Sequence, residues 1–114
     1  STKNDGEVRG SRKIYMCDTG LLNYIIRIGE GHVFENAVYL SLRKYGTINY
    51  YERYKGGEID FILNKQYAFE VKISAAETDV NRIQRLTKEL KMKNCYVITK
   101  NFSTLRKSIN AQNL

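Results

Sequence analysis

Apolar residues change their period twice along this chain. The stretch "GHVFENAVYLSLRKYG" spaces Phe34, Ala37, Val38, Leu42 and Tyr45 as one face of a helix, which Gly46 ends. Before it, "KIYMCDTG" reads as a short extended piece and Leu21 to Ile28 as a brief helix capped by Asp18 or Thr19. The period then falls to two. "TINYYERY" is rich in β-formers, and Gly56-Gly57 turns it into "GGEIDFILNKQYAFEVK". In that segment Ile59, Phe61 and Leu63 are predicted to share one face, with Glu58 and Asp60 on the other. Tyr67, Phe69, Val71 and Ile73 likewise oppose Glu70 and Lys72.

Helical spacing returns from Thr78 or Asp79, where Val80, Ile83, Leu86 and Leu90 form an apolar stripe. "NCYVITK" is too short and too β-branched for a helix and reads as a strand, followed after Phe102 by a short helix that frays at "NAQNL". From residue 32 the predicted order is αβββαβ. It implies an α/β (α+β) fold with a mixed sheet flanked by helices.

Parity constrains the hairpin. Opposed residues of an antiparallel pair share a face, so the two apolar sets coincide only with a three-residue loop, Asn64-Lys65-Gln66, and Leu63 opposite Tyr67. Asp60 is then expected opposite Glu70, and Glu58 opposite Lys72. A bulge would shift this register, since no glycine marks the loop. Like charges so close destabilise a sheet unless a cation compensates. Two carboxylates at that spacing suit a hard divalent cation, and the Lys72 ammonium projects towards the same spot. A solvated ladder of Glu58, Asp60, Glu70 and Lys72 meets the same pattern.

Composition narrows the field. The 114 residues suffice for one domain with a core, read here as residues 13–107 between a polar leader (1–12) and a tail (108–114). The first residue is Ser1, which reads as an excised or processed chain. No apolar run approaches the length of a membrane span. Cys17 and Cys95 are isolated and fit small hydrophobes in a reducing compartment, the cytoplasm. A single histidine, His32, argues against zinc clusters and histidine-dependent triads. The formal net charge of +7 favours an anionic partner, most often nucleic acid. No G-x-x-x-x-G-K-[ST] loop is present, so the chain carries no phosphate-loop motor.

The order of acidic residues carries a resemblance. Helical Glu35, strand Asp60 and the Glu70-x-Lys72 of the next strand resemble the PD-(D/E)XK nuclease superfamily, with a spacing similar to archaeal Holliday-junction resolvases. Ile59 stands where the proline that names the superfamily would precede Asp60. A closer resemblance is to the domain of unknown function that follows the motor in many archaeal and bacterial AAA-type ATPases. Four blocks, "KIYMCDTGLL", "HVFENAVYLSL", "GGEIDFIL" and "AFEVKIS", look like its successive signatures.

The resemblance implies a restriction-endonuclease-like fold and a magnesium- or manganese-dependent endonuclease. In it Asp60, Glu70 and the Val71 carbonyl bind the metal, Glu35 completes the site and Lys72 activates water. DNA, branched forms included, is the implied substrate. Arg82, Arg85 and Lys88 on the second helix, with Arg53 and Lys55 in the "RYKGG" turn, are the candidate phosphate contacts, and Tyr50, Tyr51 and Tyr54 add aromatic surface. Gln84 is a candidate to face the site. An AAA-type ATPase is the implied partner, and a homodimer of the kind resolvase-like nucleases form stays open. The alternative from another class is a non-catalytic DNA-binding or protein-docking module of an ATPase.

Overall fold

A computed structural model describes residues 19–52 and 58–114. Its order is helix α1 (Thr19–Leu42), strands β1 (Ile48–Glu52), β2 (Glu58–Leu63) and β3 (Tyr67–Lys72), helix α2 (Glu77–Glu89), and strands β4 (Asn94–Thr99) and β5 (Ser108–Asn110). The strands form one five-stranded sheet in chain order, β1-β2-β3-β4-β5. β1 to β3 are antiparallel, whereas β3, β4 and β5 run parallel. The mixed α+β sheet with helices on both faces is therefore present.

Each helix covers one face. On one side Val38 and Leu42 of α1 pack with Leu63, Phe69 and Ile98, joined by half-buried Phe34, Phe61, Tyr67 and Val71. On the other, Val80, Ile83 and Leu86 of α2 pack with Ile59, Ala68, Cys95 and Val97. The stripe read from α2 is buried as expected, with the helix starting at Glu77 and Leu90 at its C-cap. Asp79 fastens that start: its Oδ2 accepts the Ala76 N–H at 2.8 Å.

The hairpin loop is Asn64-Lys65-Gln66 with Leu63 opposite Tyr67, as parity requires. Asn64 and Lys65 both adopt positive φ (54° and 59°), and the Gln66 N–H donates to the Leu63 carbonyl at 3.0 Å. Asn64 also accepts the Thr47 N–H at 3.0 Å. That contact leaves room only for glycine at position 46, where φ is 156° and a Cβ would collide with the Asn64 amide.

Four expectations are corrected. The two helices predicted before residue 46 are one 24-residue helix, α1, followed by a 3-10 turn (Arg43–Tyr45). The helix expected after Phe102 is instead strand β5 and a 3-10 turn (Ala111–Asn113). And the apolar face of β2 is not continuous, because Ile59 joins the α2 side while Phe61 and Leu63 join the α1 side. The cause is a bulge. Asn49 pairs with Ile62 and Tyr51 with Ile59, so two steps along β1 span three along β2. The β2–β3 ladder ends at Phe61↔Phe69, and neither Asp60/Glu70 nor Glu58/Lys72 continues it.

α1 runs through Gly29, where a Cβ would meet nothing within 4 Å. Gly29→Ala should therefore stabilise the protein by about 0.5–1 kcal/mol in a urea titration, because helical glycine costs about that much relative to alanine. A loss of stability would mean that this helix bends at Gly29 in solution.

Candidate functional site

The bulge turns Asp60 inward. Its Oδ2 accepts the Val71 N–H at 2.8 Å, where a β2 backbone carbonyl would otherwise stand. Val71 is a strand residue, so its carbonyl leaves the same strand edge as its N–H, towards Asp60. Asp60 and Val71 line a cavity of about 230 Å³ with Ile28, Gly31, His32 and Glu35 of α1. Glu35 and His32 also border a second cavity, of about 280 Å³, with Asn36, Tyr39 and Phe61. Glu35 of α1 thus lines the same cavity as Asp60.

Glu70 and Lys72 alternate with Phe69 and Val71 and face α2. The Arg82 guanidinium donates to Glu70 Oε2, and it reaches Asp79 Oδ1 at 3.0 Å. Lys72 Nζ lies 3.7 Å from the same Asp79 oxygen. Glu70 Oε1 is buried with no hydrogen-bond partner. So is the hydroxyl of Thr99, which pairs in register with Lys72 on the same side of the sheet. The four motif residues are therefore brought together in two halves, Glu35 with Asp60 and Glu70 with Lys72.

Electrostatics tie the halves. Burial raises the Asp60 pKa above its ordinary value, opposed by the Val71 N–H; Glu35 raises it further, while Lys72 and Arg82 lower it. Burial likewise raises Glu70, opposed by the hydrogen bond and charge of Arg82 and aided by Asp60. For Arg82, burial works downward, but the bonds and charges of Glu70 and Asp79 outweigh it and raise its already high pKa. Two carboxylates are held above their usual range with one oxygen unsatisfied. The region is short of positive charge even with Arg82 in place.

That shortage is the test of fit for a divalent cation. Among the described residues no three His, Cys, Asp or Glu side chains gather as a ready metal cage. Magnesium does not need one: it keeps several waters and is held by one or two carboxylates. Asp60 and Val71, which line one cavity, offer oxygen donors of that type, and the unpartnered oxygen of Glu70 is a further one in the other half of the cluster.

The candidate phosphate contacts fall differently. Arg82 is bonded into the site. Arg85 forms an exposed pair with Glu89 at 3.4 Å, and Lys88 is exposed in the last turn of α2. Gln84 accepts from Arg106 at 3.2 Å on the exterior. Tyr50 is exposed and Tyr51 packs against the α2-side core. Arg53, Lys55 and Tyr54, like the leader and Cys17, lie outside the described residues. Sequence reasoning missed Asp79, which anchors Arg82 and Lys72 together. Its signal was available as an acidic residue in the first turn of a helix, three before an arginine.

With the geometry in place, comparison with known proteins gives the family. A family profile described as a domain of unknown function, DUF4143, matches residues 30–113. The chain belongs to that family. No curated protein and no solved structure matches it. Among the described residues no helix is long and apolar enough to cross a membrane.

Two measurements probe the electrostatics. A carboxylate whose native pKa is raised contributes stability that is present below about pH 4 and is lost as pH rises through the raised value. Asp60→Asn removes that ionisation, while its amide oxygen can still accept the Val71 N–H. Without added metal it should melt higher than wild type at neutral pH, and the gap should close towards pH 4; a constant gap would place the effect outside ionisation. Arg82→Gln should do the reverse. It strands Glu70 and should cost about 1–2 kcal/mol at neutral pH by denaturant titration, the value tempered by the partial exposure of Arg82.

Proposed function

We propose that this is a metal-dependent, DNA-binding nuclease-like domain that hydrolyses phosphodiester bonds, working beside an AAA-type ATPase. The observation that carries the reading is the half-buried Asp60 carboxylate, fixed on the Val71 N–H in a cavity shared with Glu35. It stands within electrostatic reach of Glu70 and Lys72. Asp60, Glu70 and the Val71 carbonyl would hold magnesium or manganese, with Glu35 reaching it through water. Such an ion supplies Lewis-acid stabilisation of charge on phosphate oxygens.

The protein's own groups do the rest. Asp79 restrains the Lys72 ammonium, which can donate to a phosphate oxygen or to the attacking water. Hydrolysis adds that water's oxygen to phosphorus as the ester oxygen departs with a proton. Arg82 favours the ionised form of Glu70 and so opposes the effect of its burial. The net charge of the whole chain, +7 with this acidic centre included, suits a polyanion.

One observation favours the rival reading, a DNA-binding or docking module that kept the fold without the reaction: Glu70 already has a cation, Arg82. Nicking assays on supercoiled and branched DNA, with magnesium or manganese, decide between them. Wild type should cut only with metal. Lys72→Ala should lose roughly 100-fold or more in cleavage. Its DNA affinity should fall modestly, with the logarithmic salt slope changing by about one at most. Binding without metal-dependent cutting by wild type would establish the docking module.

A further inference from the structure

Away from the acidic centre, a cavity of about 710 Å³ opens at the carboxyl ends of β4 and β5. That size suits a small organic ligand, and the carboxyl ends of parallel strands are where α/β sheets generally bind one. Its lining contains one cation, Lys100, and no carboxylate. Phe102 stands at it 83% exposed, the most exposed large apolar side chain among the described residues. An isolated aromatic ring held in water beside a polar cavity packs no core.

The polar groups around the ring are held in place. Asn101 Nδ2 donates to Ser74 Oγ at 2.7 Å. Asn110 Nδ2 donates to the Lys100 carbonyl at 3.4 Å, while its Oδ1 accepts the Gln112 N–H at 3.0 Å. Side-chain amides present a donor and an acceptor side by side, which complements the edge of a nucleobase. Lys100 reaches Glu30 at 2.7 Å in an exposed pair. Such pairs contribute little, so the ammonium can turn to a phosphate at small cost.

The cavity is also joined to the acidic centre. The Lys100 N–H donates to the Lys72 carbonyl at 3.4 Å, and the Asn101 N–H to the Ile73 carbonyl at 2.9 Å. The loop that carries Phe102 therefore springs from the backbone that presents Glu70 and Lys72.

We propose that this cavity binds an unpaired nucleobase of a DNA strand, stacked on Phe102 with its edge on the neighbouring amides and its phosphate near Lys100. The inference rests on the reading of the domain as DNA-binding and narrows its substrate: duplexes with overhangs, frayed ends or branch points bind better than blunt ones.

Fluorescence anisotropy with the whole chain tests it, using a labelled blunt duplex and the same duplex with a short single-stranded overhang. Phe102→Ala should weaken binding to the overhang substrate by roughly 5- to 150-fold, the range for losing one stacked base, and leave blunt-duplex binding unchanged. The chain has no tryptophan, so Phe102→Trp places a sole indole at the cavity. Overhang DNA should quench its emission, and blunt duplex should not. Equal affinity of Phe102→Ala and wild type for the overhang substrate overturns the proposal, as does an equal loss on both substrates. Quenching by free dAMP without any preference for overhangs also overturns it and assigns the cavity to a free nucleotide. If wild type binds blunt duplex but gains nothing from the overhang, this inference alone fails. If it binds neither, the DNA-binding reading falls with it.

Discussion

One extra residue in β2, between Ile59 and Ile62, governs the arrangement of the core and of the site. By breaking the two-residue period it sends Ile59 to the α2 side of the sheet and Phe61 to the α1 side. Both helices therefore find apolar partners on a single short strand. It also ends backbone pairing with β3 at Phe61↔Phe69 and presents the Asp60 carboxylate to the Val71 N–H. A regular strand would have satisfied that N–H with a carbonyl and left Asp60 on a face.

The acidic centre is costly to keep. Burial opposes ionisation of both Asp60 and Glu70, and each raises the other's pKa or is raised by a neighbouring carboxylate. Arg82 offsets part of this for Glu70, and Asp79 fixes Arg82 from the first turn of α2. A fold selected for stability alone would place apolar residues here. Perturbed carboxylates beside a cavity are the usual mark of a working site.

Much of this was legible in the chain. Periodicity located α2, β2, β3 and their three-residue loop, while β1 and β4 were legible from their β-forming and β-branched residues. Glu35 was named through the family resemblance and not through any period, and it lines one cavity with Asp60. What failed had local physical reasons. The sequence was read as two helices on either side of Gly29, yet α1 runs through it as one helix. The bulge at Asp60 leaves no sequence mark, because "EIDFIL" alternates regularly and only its partner strand reveals the extra residue. Strand β5 is three residues long and half-buried, too short for any period to show. Asp79, and the bond of Arg82 to Glu70, were hidden among the charges of a helix whose outward face is expected to be charged.

The strand order has a kinetic consequence. β1, β2 and β3 neighbour one another in sequence and in space, so this meander needs only short loops to close. Glu70 and Lys72 lie at its far end, but their partners Asp79 and Arg82 come from the crossover helix, and Thr99 from the parallel strand beyond it. Docking of α2 and β4 on the finished meander thus completes the acidic cluster and buries its charges in the same event. The unfavourable burial of carboxylates is then met late, on a surface already ordered. It weighs on the lifetime of the folded domain more than on the speed with which the sheet first forms.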